Sequence, residues 1–162
     1  MTKRTVPAFL VTAALATALH EAYRLCPVPL VGLLAPVNES VWEHMKLLFW
    51  PFLLAGFWRN RGAEDPQRLW SGTLCALLGM PLGVLGIYYV LLGAFGVQAL
   101  WIDLGLFYGA LLLGFLLEDR LQRSGRLCWA AGVLVIAAGL YGAALILFTM
   151  APPQLPLFLP PR

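Results

Sequence analysis

Apolar residues recur along this chain in runs that are long enough to cross a bilayer as helices. The runs cover residues 5–23, 40–58, 69–95, 99–118 and 127–149. About 20 consecutive apolar residues are enough for one helical crossing. The period-two alternation that is typical of a membrane β-barrel does not occur. The pattern therefore predicts an all-α polytopic bundle of about five transmembrane helices, with residues 1–162 as a single integral membrane domain in the lipid bilayer.

Two further segments are apolar but are not expected to span. Residues 24–37, "RLCPVPLVGLLAPV", are too short for a crossing and are broken by prolines. They suggest an interfacial or re-entrant segment on the outer side. The tail, residues 150–162, is rich in proline, which prevents an α-helix. Its leucines and Phe158 make it too apolar to float freely, so we expect it to lie back on the outer face.

Composition excludes an ordinary soluble domain. The mean hydropathy is +0.80 and only 12% of residues are charged, whereas about 25% is usual in soluble proteins. The net charge of +3 does not indicate a nucleic-acid partner, because the basic residues lie in short loops between apolar runs. The three cysteines, Cys26, Cys75 and Cys128, have no zinc-ribbon spacing and are expected to be apolar filler.

The positions of the basic residues predict the orientation of the chain. Eight of them fall on one side of a five-span topology: Lys3, Arg4, Arg59, Arg61, Arg68, Arg120, Arg123 and Arg126. The positive-inside rule makes that side cytoplasmic. We therefore expect a protein of the inner (plasma) membrane with its N-terminus inside and its C-terminus outside. An alternative for the first run is a cleaved signal peptide, since basic residues precede it and "ATA" stands at 16–18.

This orientation predicts a labelling pattern. A membrane-impermeant thiol reagent added from outside should modify a cysteine placed at position 154, in the tail. The same reagent should not modify a cysteine at position 64, in the loop between the second and third runs. The reverse pattern would contradict the orientation and move the outer end of the bundle to the cytoplasm.

Small residues are expected to pack the helices, because lipid provides no hydrophobic drive for association. Gly79 with Gly83, and Gly105 with Gly109, each form a GxxxG pattern. The fifth run carries further glycines at 132, 139 and 142. These positions are therefore predicted to be helix–helix contacts.

Polar residues concentrate at the outer end of this topology. They are His20, Glu21, Asn38, Glu39, Ser40, Glu43, His44, Lys46 and Asp103. Ionisable groups at membrane depth are costly and usually face a protein interior, a cavity or an ion path. We therefore predict a polar pocket that opens outward and could admit a small molecule or a lipid.

Part of this cluster has a purely structural explanation. Ser40-Val41-Trp42-Glu43 matches a capping box, in which the serine accepts the amide of residue 43 and the glutamate reaches back. Glu39 could simply be solvated, and Lys46 could extend its amine toward water. No cap requires His20, His44 or Asp103, so these residues favour a functional site.

The residue types favour a divalent metal such as Zn²⁺. The candidate ligands are His20, Glu39, Glu43 and His44. The candidate catalytic residues are Glu43, His44 and Asp103. Glu21, Asn38, Ser40 and Lys46 complete the predicted pocket. The best hypothesis is an intramembrane metal-binding or carboxylate–histidine catalytic site.

Other functions stay open at this point. The same groups could relay protons in a proton-coupled carrier. Haem held between the two histidines is a further option, although neighbouring carboxylates suit a hard metal better. The cluster could also be a structural network in an accessory membrane subunit.

The stretch "PVNESVWEHMKLLFWP", residues 36–51, resembles the signature of an uncharacterised bacterial membrane family, domain of unknown function 6512. The similarity extends to His20 and Tyr23, to "IDLGLFYG" around Asp103, and to "FTMAPPQLPLF" in the tail. Family members usually continue with an acidic-proline-glycine ending, where this chain has "LPPR". The resemblance implies a small multi-pass membrane protein and supplies no activity.

Overall fold

The computed structural model describes residues 5–96 and 99–160, and these residues form helices and connecting loops without a strand. The α-helices are α1 (Thr5–Leu25), α2 (Pro29–Leu34), α3 (Val41–Arg59), α4 (Pro66–Phe95), α5 (Leu100–Ser124) and α6 (Ala131–Met150). Short 3₁₀ turns occupy Cys128–Ala130 and Pro156–Phe158. The predicted all-α membrane bundle is confirmed.

Four of the helical segments are long and apolar enough to cross a membrane. They are Thr5–Leu25, Pro66–Phe95, Leu100–Ser124 and Cys128–Met150. Their outward faces carry large apolar side chains such as Val11, Leu113 and Ile136, which are 62%, 64% and 64% exposed. Apolar surface of this extent indicates contact with lipid. The chain is therefore a membrane-embedded protein.

Helix α3 is the remaining predicted span, and it occupies the centre of the bundle. It packs against α1, α4, α5 and α6, and Met45, Leu48 and Phe52 are buried in the core. The first two turns of α3 carry Glu43 and Lys46, which explains why it is not among the four segments that are apolar enough to cross a membrane. The surrounding helices shield these charges from lipid.

Two boundaries differ from the prediction in ways that affect function. Helix α5 was predicted to end near residue 118, but it continues to Ser124 and ends at Gly125, whose φ is +62°. Glu118 and Asp119 are consequently buried within the helix, at 1% and 3% exposure. The predicted interfacial segment 24–37 also contains a short helix, α2, because a proline is well tolerated at the first position of a helix.

The tail returns to the bundle, as predicted. Phe158 is 7% exposed, and its ring centroid lies 4.9 Å from that of Trp42 on α3 and 5.3 Å from that of Phe148 on α6. The tail therefore covers the end of the bundle where α3 begins and α6 ends.

The glycine prediction was wrong for most positions. A Cβ atom added at Gly83, Gly105 or Gly109 would meet no atom within 4 Å. Gly142 does make a predicted contact, since a Cβ there would lie 2.9 Å from Phe49. Further close approaches occur at glycines that were not predicted: a Cβ on Gly56 would lie 2.6 Å from Thr73, and one on Gly72 would lie 2.7 Å from Gln122. A GxxxG pattern marks a smooth helix surface, but the long side chains of other helices decide where two helices meet.

An apolar layer separates two polar ends of the bundle. Leu48, Phe52, Leu77, Leu111 and Phe115 form this layer and are at most 1% exposed. One end of the bundle contains His20 and His44 and is called the histidine end below. The opposite end contains Arg59 and is called the arginine end.

Candidate functional site

Two histidines from different helices meet at the histidine end. His20 lies near the end of α1, and His44 lies in the first turn of α3. Their Nε2 atoms are 3.2 Å apart, and their ring centroids are 5.2 Å apart. Consecutive long helices run in opposite directions, which brings the last turn of α1 beside the first turn of α3.

The other ring nitrogen of each histidine has an oxygen partner of its own. His44 Nδ1 lies 2.8 Å from the Ser40 carbonyl oxygen, and His20 Nδ1 lies 3.3 Å from Glu21 Oε1. The tautomer with its hydrogen on Nδ1 satisfies these oxygens and leaves Nε2 free to bind a cation.

A carboxylate completes the group of donor atoms. Glu39 Oε2 lies 3.3 Å from His44 Nε2 and 3.6 Å from His20 Nε2. Ligand atoms around a tetrahedral zinc ion with bonds of about 2.0–2.1 Å are about 3.3–3.4 Å apart. The spacing of these three atoms therefore fits one small cation. The partners of the two Nδ1 atoms are also the kind that orient metal-binding histidines.

The loop that carries Glu39 is held in place by a buried ion pair. Glu43 Oε2 accepts hydrogen bonds from the Val37 amide at 2.9 Å and from Lys46 Nζ at 2.7 Å. Lys46 also donates to the carbonyl oxygens of Gly32 at 2.7 Å and Ala35 at 3.3 Å. These bonds connect α3 to the segment on both sides of residue 35 and so position the loop.

Glu43 is therefore directed away from the histidines. Its second oxygen accepts a hydrogen bond from Thr149 of α6 at 2.9 Å, and Glu43 and Lys46 are only 2% and 0% exposed. The structure brings together three of the predicted metal ligands and places Glu43 behind them. This arrangement gives no support to Glu43 as a ligand or a catalytic base, and it makes Glu43 a positioning residue.

The predicted capping box is half present. The Ser40 hydroxyl accepts the Glu43 amide at 3.3 Å, as the motif requires. The Ser40 amide instead donates to Asn38 Oδ1 at 2.8 Å. The prediction that Glu43 reaches back to residue 40 was wrong, because Val37, Lys46 and Thr149 already occupy its carboxylate. Asn38 and Ser40 thus shape the turn that leads into α3.

A cavity of about 380 Å³ lies beside the histidines, between α1, α3, α4 and α5. Its polar lining includes His20, Glu21, Glu39, His44 and Asp103. Asp103, in the first turn of α5, belongs to the same cavity wall as the three candidate ligands. Sequence reasoning missed the hydroxyl groups of Thr17, Tyr88 and Tyr108, which also line the cavity and carry no charge that would have drawn attention to them.

Haem does not fit between the histidines. Two axial metal–nitrogen bonds of about 2.0–2.1 Å in opposite directions would separate the nitrogens by about 4 Å. The Nε2 atoms of His20 and His44 are closer, at 3.2 Å, and Glu39 Oε2 lies within 3.6 Å of each. This spacing suits a single small ion and not a pair of axial haem ligands.

A second polar network, at the arginine end, was also missed. Arg59 forms ion pairs with Glu118 and, at 2.6 Å, with Asp119. Thr73 donates to Glu118 Oε1 and Thr5 donates to Asp119 Oδ2, both at 2.6 Å. The positive-inside rule treats arginines as solvated loop residues and so hides this network. Gly125 is the sequence feature that could have revealed this network. A glycine often follows the last turn of a helix, so Gly125 predicts a longer α5 that includes Glu118 and Asp119.

The chain belongs to a family of unknown function (DUF6512), whose family model matches residues 3–160. This match confirms the resemblance noted from the 36–51 motif. No curated protein and no solved structure matches the chain.

Proposed function

We propose that this membrane protein binds a divalent metal ion, with Zn²⁺ as the best candidate, through His20, His44 and Glu39. The observation that carries the proposal is the convergence of His20 Nε2, His44 Nε2 and Glu39 Oε2, which lie within 3.2–3.6 Å of one another. A cation among these atoms would receive one donor atom from each side chain. Glu39 adds the negative charge that a divalent ion favours.

The set of three donors leaves a coordination position open. Catalytic zinc sites typically have three protein ligands and a fourth position for water or substrate, whereas structural sites are closed by four. A bound divalent ion can polarise a substrate oxygen or lower the pKa of water to about 7. Asp103, in the wall of the same cavity, is available as a general base. These features support a metal-dependent hydrolytic site.

The distribution of polar groups favours a site at one end of the bundle over a proton-coupled carrier. A carrier requires a polar path from the histidine end to the arginine end. The intervening layer contains Leu48, Leu111 and Phe115, each 0% exposed, and the five described residues that form it are all apolar. The basic loops at the arginine end support an orientation in which the metal site faces the outside of the cell.

Metal analysis tests this function. We expect the protein, purified in detergent without chelator, to contain about one zinc ion or similar divalent ion per chain. His20→Ala and His44→Ala should each remove most of the metal, because two protein ligands hold a divalent ion poorly. Glu39→Gln should weaken binding and leave some metal.

The control is Glu64→Gln, since Glu64 is an exposed acid in the loop at the arginine end. This variant should retain the wild-type metal content. Wild-type protein without metal after incubation with Zn²⁺, or a His20→Ala/His44→Ala double variant with unchanged metal content, would contradict the proposal.

A further inference from the structure

The cavity beside the proposed metal site is mainly apolar away from the histidines. Its apolar walls come from four helices, with Ala16 on α1, Met45 on α3, Val84 on α4, and Leu104 and Phe107 on α5. A volume of about 380 Å³ falls within the range of small-molecule pockets, ~300–1,000 Å³. Walls of this kind bind hydrocarbon, because burying each CH₂ group contributes about 0.8 kcal/mol.

The rim of the cavity lies on a surface that faces lipid. Leu100 and Leu104 line the cavity and are 74% and 46% exposed. Both belong to α5, one of the helices that are apolar enough to cross the membrane. A ligand can therefore enter sideways from the bilayer, with its chain already in an apolar environment.

The charges of the lining select among head groups. Glu21, Glu39 and Asp103 line the cavity, and no lysine or arginine occurs among its described lining residues. Glu21 forms an ion pair with Arg24 outside the cavity, and a divalent ion beside the histidines compensates Glu39 and Asp103. No positive charge then remains to balance an anionic head group, so a phosphate or carboxylate head group is a poor match. An uncharged oxygen can occupy the open coordination position without adding an uncompensated charge.

We infer that the cavity binds a single-chain amphiphile with an uncharged oxygen head group, such as an ester or an alcohol. The hydrocarbon chain lies between α1, α4 and α5, and the head-group oxygen points toward His20 and His44. The position of the head group rests on the proposed metal function, whereas the position of the chain rests on the cavity alone.

The test uses the full chain in phosphatidylcholine nanodiscs, with three probes of equal chain length: monooleoylglycerol, oleate and octadecene. Binding is measured by native mass spectrometry and by competition with radiolabelled monooleoylglycerol. Co²⁺ is loaded in place of Zn²⁺ so that the visible spectrum reports its ligands. Leu104→Trp fills the cavity, and Leu113→Trp, on the lipid-facing side of the same helix, is the matched control.

We expect monooleoylglycerol to bind and to shift the Co²⁺ spectrum, whereas octadecene should leave the spectrum unchanged. Oleate should bind about tenfold more weakly than monooleoylglycerol. Leu104→Trp should weaken binding of monooleoylglycerol by about tenfold or more without loss of metal, and Leu113→Trp should bind like the wild type.

Two outcomes separate this inference from the proposed function. In the first outcome the protein holds its metal, but Leu104→Trp does not weaken binding of monooleoylglycerol, or oleate binds as tightly as monooleoylglycerol. This result overturns the ligand class and leaves the proposed metal site intact. Binding that depends on Leu104 in a protein that holds no metal overturns the proposed function and supports the assignment of the cavity to the amphiphile.

Discussion

Replacing Arg59 with methionine should lower the free energy of unfolding by about 3–5 kcal/mol, the usual cost of removing one partner from a buried ion pair. Arg59 forms ion pairs with both Glu118 and Asp119, and all three side chains are at most 7% exposed. Its removal takes an ion-pair partner from two adjacent buried carboxylates, whose mutual repulsion then increases. Denaturant titration in detergent, followed by circular dichroism, measures the change.

The control for this substitution is Arg61→Met, because Arg61 lies two residues further along and is exposed. This control should change stability by less than about 0.5 kcal/mol. Adding Glu118→Gln and Asp119→Asn to Arg59→Met should recover much of the lost stability, since the amide side chains keep the shape of the carboxylates without their charge. Equal stability of Arg59→Met and Arg61→Met would show that the network is not stabilising.

Replacing Lys46 with methionine should lower the free energy of unfolding by a similar amount, about 3–5 kcal/mol. It should also weaken metal binding. Lys46 is 0% exposed and contacts Glu43 at 2.7 Å. Without it, Glu43 becomes a buried charge without its cation, and the carbonyls of Gly32 and Ala35 lose their donor. The loop that carries Glu39 then loosens. Stability is measured as for Arg59, and metal affinity is measured by competition with a chelator.

A double variant separates charge from packing at this position. Glu43→Gln combined with Lys46→Met removes both charges and should be more stable than Lys46→Met alone, because the glutamine can still accept from Val37. If Glu43 were itself a metal ligand, Glu43→Gln alone should remove the metal as completely as His44→Ala does. The geometry instead predicts that Glu43→Gln keeps the metal with reduced affinity.

Much of the fold follows from the sequence because lipid imposes a simple constraint. Every backbone polar group in the hydrocarbon region must be paired internally, so long apolar runs become helices. The same constraint predicts that His20 and His44 lie at one depth, since a short connection joins two antiparallel helices. The cavity wall that contains both histidines with Asp103 could therefore be anticipated from topology.

The direction of Glu43 could not be predicted from spacing. Adjacent residues on a helix point about 100° apart, so Glu43 and His44 could share a centre only if it lay between their faces. The path of residues 35–39 determines the direction of the Glu43 side chain, because the Val37 amide and Lys46 both donate hydrogen bonds to its carboxylate. A turn of this kind depends on tertiary contacts, including one with Thr149 more than 100 residues away.

The network around Arg59 was missed for a different reason. Counting positive charges treats every arginine as an exposed loop residue, whereas Arg59 is buried and Arg61 is exposed. Glu118 and Asp119 resemble loop residues until α5 is extended to Gly125. Burial of a charged residue depends on which opposite charge the other helices bring near, and that information is not local.

X-ray absorption at the zinc edge, recorded on the purified wild-type protein, tests the central claim most directly. The account predicts a four-coordinate ion with two imidazole ligands at about 2.0–2.1 Å and the remaining ligands oxygen. The His44→Ala variant should lose the metal or show a single imidazole. A spectrum with sulfur ligands, with oxygen alone, or with two imidazoles still present in His44→Ala would contradict it.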